Sequence, residues 1–168
     1  IIIKFFLGQS FVFGLFSHYF HIQTKLQNME MHFNWIAYAV AVVAQMMIGY
    51  IWFHPAVMGK MWAKVRGIPV EEIRPKNPGM VYGLTVVYTL LITMFFMLNV
   101  TGFGQEDVKF HTIQHGLFHA MGFGMMVILP LLGTPTLFEG RPKEWMIVQG
   151  GYWFVRAAVA MSILSFWR

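Results

Sequence analysis

The sequence predicts an all-α integral membrane protein, a four-helix transmembrane bundle. Of its 168 residues, 57% are hydrophobic and only 11% are charged, and the mean hydropathy is +0.58. A soluble domain carries about 25% charged residues, so this chain lacks the polar side chains that would cover a surface in water. At this length the apolar bundle is expected to form one domain.

The four predicted helices are apolar segments of about 20 residues, the length that crosses a hydrocarbon core of about 30 Å. The third contains Pro130, which is expected to bend its far end. The fourth contains a single charge, Arg156. The predicted bounds are 33–53, 79–100, 112–133 and 145–167.

Residues 1–30 form a hydrophobic extension before the predicted bundle of residues 31–168. The extension is apolar and aromatic, but glycine, serine and histidine dilute it, and no small-x-small cleavage site follows it. Met29 or Met31 is a candidate initiating residue just before the first helix of the bundle. We interpret residues 1–30 as a peripheral helix, an extra span or upstream sequence.

The distribution of Lys and Arg predicts the orientation. Seven of them lie in the loops near 54–78 and 134–144, and four lie outside the spans on the other side. By the positive-inside rule the two basic loops face the cytoplasm and both chain ends face outward.

Several functions are disfavoured by composition. The absence of Cys from the sequence excludes disulfides, thiolate metal sites and cysteine nucleophiles. The net charge of +5 arises from loops between apolar segments, which indicates contact with anionic lipid headgroups rather than with nucleic acid. The sequence shows no Ser-His-Asp set, paired carboxylates or phosphate-binding glycine loop. We therefore expect a protein that is not an enzyme, with no catalytic residue and no cofactor.

Arg156 is the most unusual residue, because its position in the fourth segment places its backbone near the bilayer midplane. A central arginine costs about 2.5–3.5 kcal/mol on insertion scales and normally finds a partner in the bundle. All seven carboxylates lie outside the four segments. Gln45, tyrosine hydroxyls, backbone carbonyls, water or a bound anion remain as partners. The alternatives are a structural arginine, an anion or substrate contact, and a contact with another protein.

His111, His115 and His119 are spaced by four residues and are expected to form one row on the third helix. Imidazole titrates near neutrality and coordinates metals. The row is therefore a polar seam, part of a proton path or, as a weaker alternative, part of a metal or haem site.

Small and hydroxyl residues recur every four positions and predict close helix packing. Such rows let helix backbones approach in lipid and are compatible with a homo-oligomer. They comprise Gly116, Ala120 and Gly124 on the third helix, Ala37, Ala41, Gln45 and Gly49 on the first, and Thr85, Thr89 and Thr93 on the second.

Two further motifs stand at the end of the first predicted helix and around the start of the fourth. The first motif is Gly49-Tyr-Ile-Trp52-Phe53-His-Pro55-Ala-Val-Met-Gly59-Lys60-Met-Trp62. The second is Leu137-Phe138-Glu139-Gly140-Arg141-Pro142, followed by Gly151-Tyr152-Trp153. These motifs resemble the signatures of a small bacterial membrane family, known only as domain of unknown function seventeen-sixty-one. The resemblance covers about residues 31–168 and implies a four-helix protein of the bacterial inner membrane, without an assigned activity.

These observations favour a self-associating bundle whose polar interior passes a proton or a small anion. The interior would be formed by the histidine row, Gln45 and Arg156. The main alternative is an accessory subunit that docks onto a larger membrane complex, and a weaker one is a metal- or haem-binding protein. The expected partners are the lipid bilayer and either further copies of the chain or other membrane subunits.

Overall fold

Four long helices confirm the predicted all-α bundle. The computed structural model describes residues 33–72, 75–102, 105 and 107–167; the predicted extension of residues 1–30 lies outside them. The helices long and apolar enough to cross a membrane are α1 (Trp35–Trp52), α3 (Pro78–Thr101), α4 (Ile113–Phe138) and α5 (Lys143–Phe166). A short helix, α2 (Lys60–Arg66), follows α1.

The chain breaks sharply between α1 and α2. Helix α1 begins at the cap residue Asn34, whose side chain accepts hydrogen bonds from the Ile36 and Ala37 amides, and it ends at Trp52. A single π turn, Pro55–Gly59, leads into α2. A Cβ atom at Gly59 would lie 2.9 Å from the carbonyl carbon of His54. The turn therefore needs glycine at this position.

Helix α3 starts and stops on local signals. The side chain of Asn77 accepts a hydrogen bond from the Met80 amide at 3.1 Å, and Pro78 occupies the first turn, where its missing N–H costs nothing. The helix ends at Thr101, close to the predicted bound of 100.

Helix α4 differs from the prediction at both ends. It begins at Ile113 after the cap residue Thr112, so His111 lies before the helix and the expected row of three histidines on it is wrong. At its far end it continues past Pro130 to Phe138, where the prediction stopped at 133. A proline ring crowds the preceding turn of a regular helix, and the π turn Gly124–Ile128 directly before Pro130 is where the helix adjusts.

The second motif forms the turn between α4 and α5. Gly140 adopts a left-handed conformation with φ of 61°, and the Arg141 amide donates to the Thr136 carbonyl at 3.0 Å, as in a Schellman cap. The side chain of Arg141 pairs with Glu139 and lies over the Trp145 ring. An acid and a base of the second motif therefore pair locally at this turn.

Helix α5 is the centre of the bundle, and the buried core surrounds it. The small row of α4 packs on α5: Gly116 lies against the Met161 backbone, and Ala120 is fully buried. The row therefore serves packing within the chain, and self-association stays a prediction. The buried apolar core consists of Ala37, Ala41, Phe96, Met97, Val100, Ala120, Ala157, Ala160, Met161 and Leu164.

Candidate functional site

Arg156 is buried in the bundle with its charge turned toward the first half of α5. Its side chain is 4% exposed. The Nη1 atom donates to the Tyr152 hydroxyl at 3.1 Å, and Nη2 donates to the Thr89 hydroxyl at 2.9 Å. The guanidinium also lies 4.9 Å from the centre of the Trp153 ring. Its backbone is mid-helix, as predicted, but helical side chains point toward the N-terminus, so the charge lies nearer the α4–α5 loop.

The partners of Arg156 are neutral. The Thr89 hydroxyl donates its own proton to the Thr85 carbonyl at 2.7 Å and so serves the guanidinium as an acceptor. Within the described residues, Arg156 has no carboxylate partner, and its Nε–H has no hydrogen-bond acceptor. The ion pairs among the described residues, Lys109–Asp107 and Arg141–Glu139, both lie between the long helices.

Gln45 lies one helical turn further along the same polar seam. Its side chain is 1% exposed, and Nε2 donates to the Thr93 hydroxyl at 2.6 Å. Thr93 in turn donates to the Thr89 carbonyl at 2.6 Å. The Oε1 atom of Gln45 is buried without a hydrogen-bond partner. Thr89 and Thr93 therefore connect Gln45 and Arg156 through the hydroxyl face of α3.

A cleft of about 520 Å³ lies beside Tyr152, between α1, α3 and α5. We call it the Tyr152 cleft. Its polar groups are three tyrosine hydroxyls, one imidazole and one threonine hydroxyl. Arg156 lies directly behind it, since its guanidinium is bonded to the Tyr152 hydroxyl. The lining residues are Met46, Gly49, Tyr50, Phe53, His54, Pro55, Tyr82, Thr85 and Tyr152.

The first motif and the Gly-Tyr-Trp triplet meet at this cleft. A Cβ atom at Gly49 would lie 3.1 Å from the Tyr152 hydroxyl, so the glycine gives the tyrosine its place beside α1. The ring of Phe53 packs edge-on against that of Tyr152, with centroids 4.9 Å apart. The two motifs, distant in sequence, therefore build one wall of the cleft.

Trp52 ties the end of α1 to α5. Its indole N–H donates to the Val148 carbonyl at 3.0 Å, and a Cβ atom at Gly151 would lie 2.9 Å from the Trp52 ring. Gly151 is thus needed for the ring to reach α5. These contacts fix the position of the loop-side end of α1 against the helix that carries Arg156.

A family comparison identifies the chain. The family model described as protein of unknown function (DUF1761) matches residues 36–165. The chain belongs to the DUF1761 family. The resemblance seen in the two motifs is thereby confirmed. No curated protein and no solved structure matches the chain.

The remaining motif positions of this DUF1761 chain lie outside the cleft, apart from Pro55, which lines it and starts the π turn. Trp62 on α2 packs against Phe53 with ring centroids 5.9 Å apart, while Lys60 is exposed at the start of α2. Phe138, at the α4–α5 turn, is 88% exposed. The motif residues around this turn shape the hairpin.

In this DUF1761 chain, His115 and His119 lie in the first part of α4 and His111 lies just before it, whereas the Tyr152 cleft borders the end of α1. His115 Nε2 is 2.7 Å from the Gln105 side-chain oxygen, and its ring lies 4.6 Å from that of His119. Arg156 bonds instead to α3 and α5, so the expected single polar interior is divided into two parts. Among the described residues no three His, Asp or Glu side chains are grouped to hold a metal.

Sequence reasoning missed which hydroxyls hold Arg156 and that a cleft lies beside them. Tyr152 precedes Arg156 by four residues, the spacing of neighbours on one helix face, and this signal could have identified it. Thr89 was identified in the sequence as one of a row of threonines expected to pack between helices, not as a partner of Arg156. Nothing in the sequence indicated that Tyr50, His54 and Tyr82 line one cleft.

Proposed function

We propose that this chain is a membrane protein that binds an anionic group in the Tyr152 cleft. The observation that carries the proposal is Arg156, a buried cation that, among the described residues, is hydrogen-bonded only to neutral hydroxyls and lies directly behind the cleft. A buried charge is normally paired. An anion in the cleft would supply the negative charge that the described part of the chain does not place there.

Tyr152 is the group that would meet the anion. Its oxygen accepts a hydrogen bond from Arg156, so its own proton is available to a second acceptor. Hydrogen bonds next to an ionised partner are stronger than those between neutral groups. The guanidinium therefore makes the Tyr152 hydroxyl a better donor toward a ligand oxygen, and the Thr85 hydroxyl lies along the same wall.

The packing favours binding over passage. The polar side chains end at Arg156 and the Gln45–Thr93 pair. Next to them in the bundle lie fully buried apolar residues, among them Ala41, Phe96 and Ala157. A proton or anion path through the bundle would have to cross this layer. Passage stays a prediction, as does the role of an accessory subunit in a larger membrane complex.

The positive-inside count supports an inner-membrane orientation in which the loops near 54–78 and 134–144 face the cytoplasm. The Tyr152 cleft borders the first of these loops through His54 and Pro55. An anion would then enter from the cytoplasmic side, where the basic loops raise its local concentration.

A thermal-unfolding experiment tests the proposal. The full chain in an uncharged maltoside detergent is heated in sodium phosphate and in sodium chloride of equal ionic strength. At ten times its Kd, phosphate is expected to stabilise the protein by about 1.4 kcal/mol. Tyr152→Phe keeps the ring but removes the hydroxyl, and we expect it to lose most of this response.

The matched control is Tyr88→Phe, which removes a hydroxyl from the outward face of α3 and should keep the full response. Each variant is compared with itself in the two salts, so a lower Tm of Tyr152→Phe does not obscure the result. A phosphate response that is equal in both variants would refute the proposal. Proton or anion flux in liposomes that Arg156→Gln abolishes would favour passage instead.

A further inference from the structure

The Tyr152 cleft is larger and more apolar than a free inorganic anion requires. We propose that its ligand is an amphiphile with an anionic headgroup. The headgroup would bind at Tyr152, and the acyl chain would lie in the cleft between α1 and α3. This inference rests on the proposed function and names the class of ligand.

The volume is the first argument. Cavities of about 300–1,000 Å³ hold organic ligands of drug size, and the Tyr152 cleft has about 520 Å³. An inorganic oxyanion bound to Tyr152 would leave most of this space empty. A headgroup with the first part of an acyl chain would fill it.

The walls are the second argument. Met46, Phe53 and Pro55 present only carbon and sulfur atoms, and the rings of Tyr50 and Tyr82 add apolar surface. Such walls offer little to the hydration shell of a free anion, but they suit methylene groups. The charge, by contrast, lies at one place, behind Tyr152. The cleft thus combines apolar walls with a charge at one end, which matches the acyl chain and the anionic headgroup of an amphiphile.

The depth is the third argument. Gly49, which touches Tyr152, lies three residues before the end of α1 at Trp52, or about 5 Å along the helix. Trp and Tyr residues, here Trp52, Tyr50 and Tyr82, are typical of the headgroup region. The binding end of the cleft therefore lies near the depth at which lipid headgroups meet the hydrocarbon.

The cleft is also open sideways. Tyr50 on α1 and Tyr82 on α3 line it, yet they are 78% and 60% exposed, so both face outward at its mouth. In a bilayer this mouth borders lipid. An amphiphile can enter from the membrane without crossing the loops, and its chain can stay in contact with the hydrocarbon.

The experiment compares three additives on the full chain in maltoside micelles. Dioctanoyl phosphatidic acid carries both the anionic headgroup and the chains, dioctanoyl phosphatidylcholine carries the chains without net charge, and inorganic phosphate carries the charge alone. Thermal unfolding is measured for the wild type, Tyr152→Phe and Tyr88→Phe, and native mass spectrometry counts the lipids retained per chain.

We expect phosphatidic acid to raise Tm at a concentration at least tenfold below that needed with phosphate, with one lipid retained per chain. Phosphatidylcholine should have no such effect, and Tyr152→Phe should lose the response while Tyr88→Phe keeps it. If phosphate acts at the same concentration as phosphatidic acid, the amphiphile is refuted but anion binding stands. Equal responses to the two lipids also refute the inference, and no Tyr152-dependent response to any anion refutes the proposed function itself.

Discussion

Replacing Gly116 by alanine tests the closest helix contact in the bundle. A Cβ atom there would lie 2.6 Å from the Met161 carbonyl carbon and 2.6 Å from the Ser162 Cα, whereas ordinary contact begins near 3.4 Å. Helices α4 and α5 would have to separate by at least about 0.8 Å, and all three contacted atoms, of which the Met161 carbonyl oxygen is the nearest, belong to backbone. Overpacking of this kind costs about 1–3 kcal/mol, and rigid backbone favours the upper value.

Alanine also gains about 1 kcal/mol of helix propensity over glycine. The net loss expected for Gly116→Ala is therefore about 2 kcal/mol, or about a 30-fold change in the unfolding equilibrium. Gly122→Ala is the matched control on the same helix, because nothing lies within 4 Å of its added Cβ atom. The control should be as stable as the wild type or more stable.

Unfolding by sodium dodecyl sulfate in maltoside micelles, followed by tryptophan fluorescence, gives the free energies. Gly116→Ala as stable as the wild type would refute the close contact between α4 and α5. An equal loss in both variants would show that glycine flexibility, rather than close approach, is what α4 needs.

Three further results are expected. Trp52→Phe removes the indole bond to the Val148 carbonyl and should lower stability by about 1 kcal/mol in the same titration; an unchanged stability would contradict the tie between α1 and α5. Gln45→Leu removes a buried oxygen without a partner but also the Nε2 hydrogen bond to Thr93, which keeps its own bond to the Thr89 carbonyl. The two effects oppose each other, so the unfolding free energy should change by no more than about 1 kcal/mol; a larger loss would show that the Gln45–Thr93 bond outweighs the unpaired oxygen. Hydrogen bonds from the Lys109 amide and side chain lower the pKa of Asp107. The ionised carboxylate therefore stabilises the fold at pH values above its ordinary pKa, and this stabilisation is lost as the pH falls through the lowered pKa. Asp107→Asn should therefore flatten the pH dependence of Tm in that acidic window and match the wild type below it, and an unchanged profile would contradict a stabilising role of these hydrogen bonds.

The fold was predictable because its dominant signal is local. Each spanning helix is a long apolar run, and the lipid environment makes length and composition sufficient to identify it. The bend expected at Pro130 stays a prediction, and what the structure shows before this proline is a π turn. The extension of α4 to Phe138 was not expected, because neighbouring structure decides whether a helix continues past a proline. The cap at Thr112, which places His111 before the helix, depends on the geometry of the loop.

The candidate site was predictable only in part, because it depends on contacts between distant segments. Arg156 and Gln45 were identified because polar groups in an apolar run are conspicuous. Their partners Thr89 and Thr93 sit on another helix, and the rotation of α3 that directs them inward is set by packing. The Tyr152 cleft depends on Gly49, whose role beside Tyr152 is visible only once α1 and α5 are adjacent.

The position of the buried arginine has a consequence for how the protein is made. Helix α5 is the least apolar of the four candidate spans, and Arg156 is the only charged residue that any of them carries away from a helix end. The Thr89 hydroxyl, which accepts a hydrogen bond from the Arg156 guanidinium, belongs to α3. Helix α3 leaves the ribosome before α5. We therefore expect efficient membrane integration of α5 only when α3 precedes it, and retention of α5 at the translocon if Thr89 is replaced by valine. On this expectation, the side chain that places a charge behind the cleft also makes membrane integration of the last span depend on the second.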